Sequence, residues 1–119
     1  MDISAKLQIK PGQSVAVVAA PAELPALADP AVNPLVAPPA ADVVVAFARL
    51  AADLDTVAAP AVEAARLDKL AWVAYPKAGQ LGTDLNRDIL VALLTARGVQ
   101  PVRQVAVDGT WSALRFRPA

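Results

Sequence analysis

From Leu70 to Asp88 the chain reads LAWVAYPKAGQLGTDLNRD, an apolar run ending in Tyr75-Pro76-Lys77, then a loop with Gly79 and Gly82, then the polar start of a helix. Most of the versatile polar side chains gather there: Tyr75, Lys77, Asp84, Asn86 and Arg87. A lysine just after a strand and near a helix start suits anion binding, because free N–H groups at a helix start attract negative charge. As an enzyme, the same set would use Lys77 as an electrophilic anchor and Asp84 or Tyr75 in proton transfer. The plainer reading pairs Lys77 with Asp84 or Asp88, lets Asp84 favour the helix dipole, and has Arg87 bridge to nearby carboxylates. Asn86 has the least structural reason to be there, being an indifferent helix former in a first turn. Trp111, beside Arg115 and Arg117, either marks a contact surface or packs over the end of the sheet. Ser112 has no histidine to activate it, so a serine nucleophile would need Lys77 or a carboxylate as base. Gly79 and Gly82 make no phosphate loop, since Lys77 precedes them and no Gly-Lys-Ser/Thr follows.

Composition narrows the chemistry further. The 119 residues include no cysteine and no histidine, which excludes disulfides, thiolate metal sites, Cys nucleophiles and imidazole bases. Any acid-base work would fall to Asp, Glu, Lys or Tyr, and no metal site, cofactor or catalytic residue is assigned. Lys+Arg and Asp+Glu are both 11, so no net field would hold the chain on nucleic acid or an anionic membrane surface. The one visible basic cluster is Arg97, Arg103, Arg115 and Arg117. Lys6, Lys10 and Pro11-Gly12 interrupt residues 1–20, so no secretory signal is expected, and no window is long and apolar enough for a membrane helix. A cytoplasmic protein is the expectation.

These residues need elements to position them. Val15–Ala20 and Val43–Phe47 are continuous apolar runs, the pattern of parallel strands buried on both faces. Pro21 to Pro39 holds six of the 11 prolines, which leaves room for a turn of helix around Ala22–Ala28 and an edge strand at Val32–Val36. An irregular, partly polyproline-like connector fits that stretch equally well. Arg49 to Leu67 reads as helix cut in two by Pro60, followed by a strand at Leu70–Tyr75. A helix at Asp84–Arg97 would be capped by Thr83 or Asp84 and end at Gly98. Val102–Val107 and Trp111–Arg117 around Asp108-Gly109-Thr110 form a hairpin, with Val105, Val107, Leu114 and Phe116 on one apolar face. The whole is a single α/β domain over residues 1–119, a three-layer Rossmann-like sandwich. Its sheet of about five or six strands is mostly parallel and closes on a C-terminal antiparallel hairpin.

Asp42–Phe47, a helical span, Leu70–Lys77, a helix and a hairpin together resemble the second half of a class I methyltransferase domain. That family places a glycine-rich turn after its first strand to hold the methionine part of S-adenosylmethionine. Here the chain has Ala19-Ala20-Pro21-Ala22, so the resemblance implies a related topology without the cofactor. Leu7–Gly12, Trp72–Lys77, Thr83–Asp88 and Val107-Asp108 before Trp111–Leu114 also resemble a family of short bacterial proteins catalogued as a domain of unknown function. That second resemblance covers nearly the whole chain and implies no activity.

The leading reading is a non-enzymatic domain that binds a small molecule or a protein at the C-terminal edge of its sheet. Its candidate ligand-binding residues are Tyr75, Lys77, Asp84, Asn86, Arg87 and Trp111. The alternatives are a small enzyme using Lys77 and Asp84, and a reduced S-adenosylmethionine-dependent methyltransferase-like protein. No nucleic acid or membrane partner is expected, and a homodimer through the hairpin or the proline-rich edge is an open expectation.

Overall fold

The computed structural model describes all residues except Met1, Asp2, Glu23, Pro25 and Ala28. Its five strands are β1 (Val15–Val18), β2 (Val43–Phe47), β3 (Leu70–Pro76), β4 (Val99–Ala106) and β5 (Trp111–Pro118), in the order β1-β2-β3-β5-β4. β1, β2 and β3 pair in parallel, and β5 pairs antiparallel with both β3 and β4. The last strand thus inserts between the third and fourth, so β1, β2, β3 and β4 all run one way. This is the mostly parallel α/β sheet with a C-terminal hairpin that the residue patterns imply.

The central strands form because their side chains are apolar on both faces. Every residue of β2 is buried, and six of the seven in β3. On one face Val44, Val73, Leu114 and Phe116 pack under two helices, α2 (Ala59–Arg66) and α3 (Arg87–Thr95). α2 is alanine-rich on its buried side, through Ala61, Ala64 and Ala65, so it lies close to the sheet. α3 is anchored by Leu90 and Leu94, four residues apart on one helical face and both fully buried. Truncating either to alanine would cost about 2–5 kcal/mol. On the other face Trp72, Val45, Phe47 and Trp111 are covered by Leu7, Ile9, Leu27 and Val107. A short helix, α1 (Ile3–Lys6), leads into that cover, and the Trp72 indole N–H donates to the Leu7 carbonyl at 2.9 Å. The indole thereby gains the partner that a buried tryptophan needs.

Several expectations change in detail. β1 stops at Val18 because Ala19 turns left-handed, with φ of 59°. The expected edge strand at Val32–Val36 shrinks to one parallel bridge, Val15 to Leu35, since prolines on either side limit the backbone donors. The helical turn expected around Ala22–Ala28 falls partly outside the described residues, and Ala22, Leu24, Ala26 and Leu27 are turn, bend or irregular backbone. Arg49 to Leu67 is indeed broken, into a 3-10 turn at Ala51–Asp53 and α2, with Pro60 in the first turn of α2. α3 begins later than Asp84 because Asn86 is its cap.

The hairpin's faces also need correction. Val105 stands opposite Ala113, and both belong with Val107 and Trp111 on the α1 side, whereas Leu114 and Phe116 face α2 and α3. The turn sets this register. Asp108 Oδ1 accepts from the N–H groups of Thr110 and Trp111 at 2.8 and 2.7 Å, and the Val107 N–H donates to the Trp111 carbonyl. A side-chain-built turn of this length differs from a two-residue Asp-Gly hairpin, and one step of register moves every side chain to the other face.

Candidate functional site

The carboxyl end of β3 and the start of α3 bound an open cleft of about 400 Å³. Tyr75, Lys77, Asn86 and Arg87 all line it, so four of the six candidate residues share one site. Asp88, Gln104 and Ser112 complete its polar wall. β5 is responsible for much of this. By lying beside β3 it sets Ser112 opposite Tyr75, and by pairing with β4 it brings Gln104 to the same side as Leu114.

Lys77 is fixed by its backbone, whose N–H donates to the Thr110 carbonyl in the hairpin turn at 2.8 Å. Its ammonium has no ion-pair partner among the described residues; the expected pairing with Asp84 or Asp88 does not form. Asp84 points elsewhere: its Oδ1 accepts from the Ala51 N–H at 2.8 Å, at the start of the 3-10 turn. Thr83 is equally committed, donating from Oγ1 to the Arg49 carbonyl at 2.6 Å and accepting from the Leu85 N–H. Together with Arg49 Nε donating to the Leu81 carbonyl, these bonds stitch the 77–86 loop to the segment following β2.

Asn86 has the structural role that its composition disguised. Its backbone is extended, its Oδ1 accepts from the Ile89 N–H at 2.9 Å, and its carbonyl accepts from Leu90. An asparagine is a poor first-turn residue but a favoured cap, which accounts for its presence without a ligand.

Arg87 Nε donates to Gln104 Oε1 at 3.1 Å, and Gln104 Nε2 reaches the Tyr75 hydroxyl at 3.4 Å. Arg87 also sits 3.6 Å from Asp88, whose side chain is 94% exposed, so that pair binds the guanidinium only loosely. Burial pushes the Tyr75 hydroxyl above the ordinary phenol range, against the opposing pull of the Arg87 guanidinium and the Ser112 hydroxyl; Asp88 adds to the rise. Tyr75 therefore keeps its proton at neutral pH while its oxygen accepts from Gln104.

Trp111 stands apart from this cleft. It is buried, edge-on to Phe47 with ring centroids 5.2 Å apart, and packs over the end of the sheet. It lines a second crevice with Arg49, Asp53 and Leu81. The basic cluster also disperses: Arg97 pairs with Asp55 at 2.7 Å and Arg117 with Asp68 at 3.1 Å, while Arg115 donates to Gln8. Gln104 and Arg49 are the residues sequence reading missed. Arg49 carried a usable signal, since it follows the end of β2 just as Lys77 follows β3. Gln104 carried none, because its placement depends on β5 entering between β3 and β4.

Among the described residues no group of acidic, histidine or cysteine side chains could hold a metal ion, and no helix is long and apolar enough to cross a membrane. Comparison of the chain with family models, curated proteins and solved structures gives no match. Both resemblances therefore rest on the quoted residues alone.

Proposed function

We propose that the protein is a binding domain whose cleft between β3 and α3 takes a small anionic ligand, without catalysing a reaction on it. The observation that carries this reading is the Lys77 ammonium: it faces a polar cleft with no carboxylate paired to it, close to Arg87 and the Ser112 and Tyr75 hydroxyls. The N–H groups at the start of α3 add a favourable field for negative charge. An enzyme using Lys77 with Asp84 is the weaker alternative, because Asp84 is tied to the Ala51 N–H and does not line the cleft. The protein would act in the cytoplasm, on a free metabolite or an acidic group of a partner.

Amide chemical-shift mapping with inorganic phosphate and with citrate, against sodium chloride at equal ionic strength, tests it. The expected result is saturable shifts at Lys77, Arg87 and Ser112 that weaken about tenfold or more in Lys77→Met, as for a lost hydrogen bond between charged groups. Shifts equal to those in chloride, or unchanged in Lys77→Met, would refute the reading.

The reduced methyltransferase-like reading is supported by one feature, the antiparallel β5 between β3 and β4 that follows the element order of that resemblance. Against it, the turn after β1 places the Ala19 methyl where close backbone approach would call for glycine. Calorimetry with millimolar S-adenosylmethionine decides it; a flat trace removes it.

A further inference from the structure

Beneath the proline-rich connector lies an apolar cavity of about 210 Å³, walled by Val17, Leu24, Leu27, Leu35 and Phe47. It exceeds the roughly 150 Å³ that accommodates benzene in a dry protein cavity, so one ring or a short branched chain fits. Phe47 is also a wall of the second crevice, and neighbouring residues of one turn divide between the two: Ala20 lines the cavity, while Ala19 and Pro21 line the crevice. An apolar chamber thus shares its Phe47 wall with a second mouth, at the carboxyl ends of β1 and β2, that carries the Arg49 and Asp53 side chains.

The charges at that mouth are unequally engaged. Asp53 Oδ2 accepts two backbone N–H groups, from Arg49 at 3.1 Å and Leu50 at 3.0 Å. Nearby Asp84 is likewise held by the Ala51 N–H. The Arg49 guanidinium, by contrast, donates only through Nε, to the Leu81 carbonyl at 3.0 Å, and its terminal nitrogens have no protein acceptor among the described residues. A guanidinium with two free parallel donors is matched by a carboxylate.

We infer that this chamber and mouth form a second site, distinct from the Lys77 cleft, for an amphipathic monocarboxylate whose ring or short chain lies against Phe47 and whose carboxylate meets Arg49. Both halves are needed. The cavity has little polar lining to orient a ligand, and a carboxylate alone would find Arg49 exposed to water and screened.

Phenylbutyrate is a suitable probe, compared by calorimetry with phenylbutyramide and phenylbutylamine. The acid is expected to bind in the submillimolar range and at least tenfold more tightly than the amide or the amine. Arg49→Gln should erase that preference, and Arg49→Lys should retain part of it. Leu35→Glu, a change at an exposed position on the chamber rim, should weaken the acid severalfold. Lys77→Met should leave phenylbutyrate binding unchanged. No binding of the acid at millimolar concentration would overturn the inference, as would an amine that binds as tightly as the acid. Loss of binding in Lys77→Met with no effect of Arg49→Gln would also overturn it, placing the ligand in the other cleft. Should Arg49→Gln fold poorly, the acid-to-amide comparison on the unaltered protein still decides.

Discussion

The Thr83 hydroxyl donates to the Arg49 carbonyl at 2.6 Å, joining the loop after β3 to the segment after β2. The same oxygen accepts from the Leu85 N–H at 3.0 Å, so one side chain both closes its own turn and bridges two strand ends. Thr83→Val keeps the shape and removes both bonds. It should lower unfolding stability by about 1–2 kcal/mol in urea denaturation, with the midpoint shifted and the slope unchanged. An unchanged midpoint would mean that water replaces both bonds and that the loop is not held by this residue.

Asn86 gives a sharper separation of structure from function. As the α3 cap it should tolerate Asn86→Ser or Asn86→Asp with little loss, while Asn86→Ala costs about 1 kcal/mol. If its role is only to cap, Asn86→Ser will also bind phosphate or citrate like the unaltered protein. A stable Asn86→Ser variant with weakened anion binding would instead give the side chain amide a direct part in the cleft.

How much of this was readable in advance differs by element. β2 and β3 announced themselves because Val43–Phe47 and Leu70–Pro76 are apolar at consecutive positions, which a strand buried on both faces requires. The break at Pro60 was equally plain, since proline is accepted in a helix's first turn and not in its interior. The sequence pattern starts α3 too early, at Thr83 or Asp84, because both are able caps and Asn86 reads as a first-turn residue and not as a cap. The choice fell to Asn86 once Leu90 and Leu94 had to point at the sheet and Thr83 and Asp84 had found backbone partners in another loop. Those partners are distant in sequence, so local pattern could not supply them. The same holds for β5, whose position between β3 and β4 brings Ser112 and Gln104 to Tyr75.

Tyr75 is the chain's single tyrosine, so the tyrosinate absorbance reports one residue. Its folded pKa lies above the ordinary value, chiefly through burial. The folded state therefore keeps its proton where the unfolded state, with a phenol near 10, has begun to lose it. Stability is full below that unfolded value and declines as pH rises through it toward the folded pKa. Tyr75→Phe should flatten this alkaline decline. A native absorbance titration with a midpoint at or below the unfolded phenol would contradict the burial argument.

Asp68 works at the opposite end of the pH scale. Its carboxyl is held below the usual range by the hydrogen bond from Arg117 and by that guanidinium's charge, outweighing a small opposing effect of burial. The folded state then remains ionised where the unfolded state takes up a proton. The contribution is present above the unfolded carboxylate pKa of about 3.9 and is lost as pH falls through the folded value. Asp68 and Arg117 are both about half exposed, so the effect should be small and reduced by salt. Asp68→Asn should make stability less dependent on pH below about 4. Asp68 also has φ of 58°, a conformation asparagine adopts readily, so this substitution separates charge from backbone strain.

Ala19 presents the reverse case, a residue whose backbone disagrees with its side chain. It occupies the left-handed region, φ of 59°, directly after β1, where a Cβ costs roughly 1–2 kcal/mol relative to glycine. Glycine also loosens the unfolded chain by about 0.4–1 kcal/mol, which offsets part of the gain. Ala19→Gly should thus raise stability by about 0.5–1 kcal/mol, measured as a higher urea midpoint. Ala19→Val, with a branched Cβ in the same conformation, should lower it. Since Ala19 lines the crevice beside Arg49, phenylbutyrate affinity should change little in Ala19→Gly if the ligand depends on Phe47 and Arg49. A destabilised Ala19→Gly would show that the methyl packs favourably enough to outweigh its strained backbone.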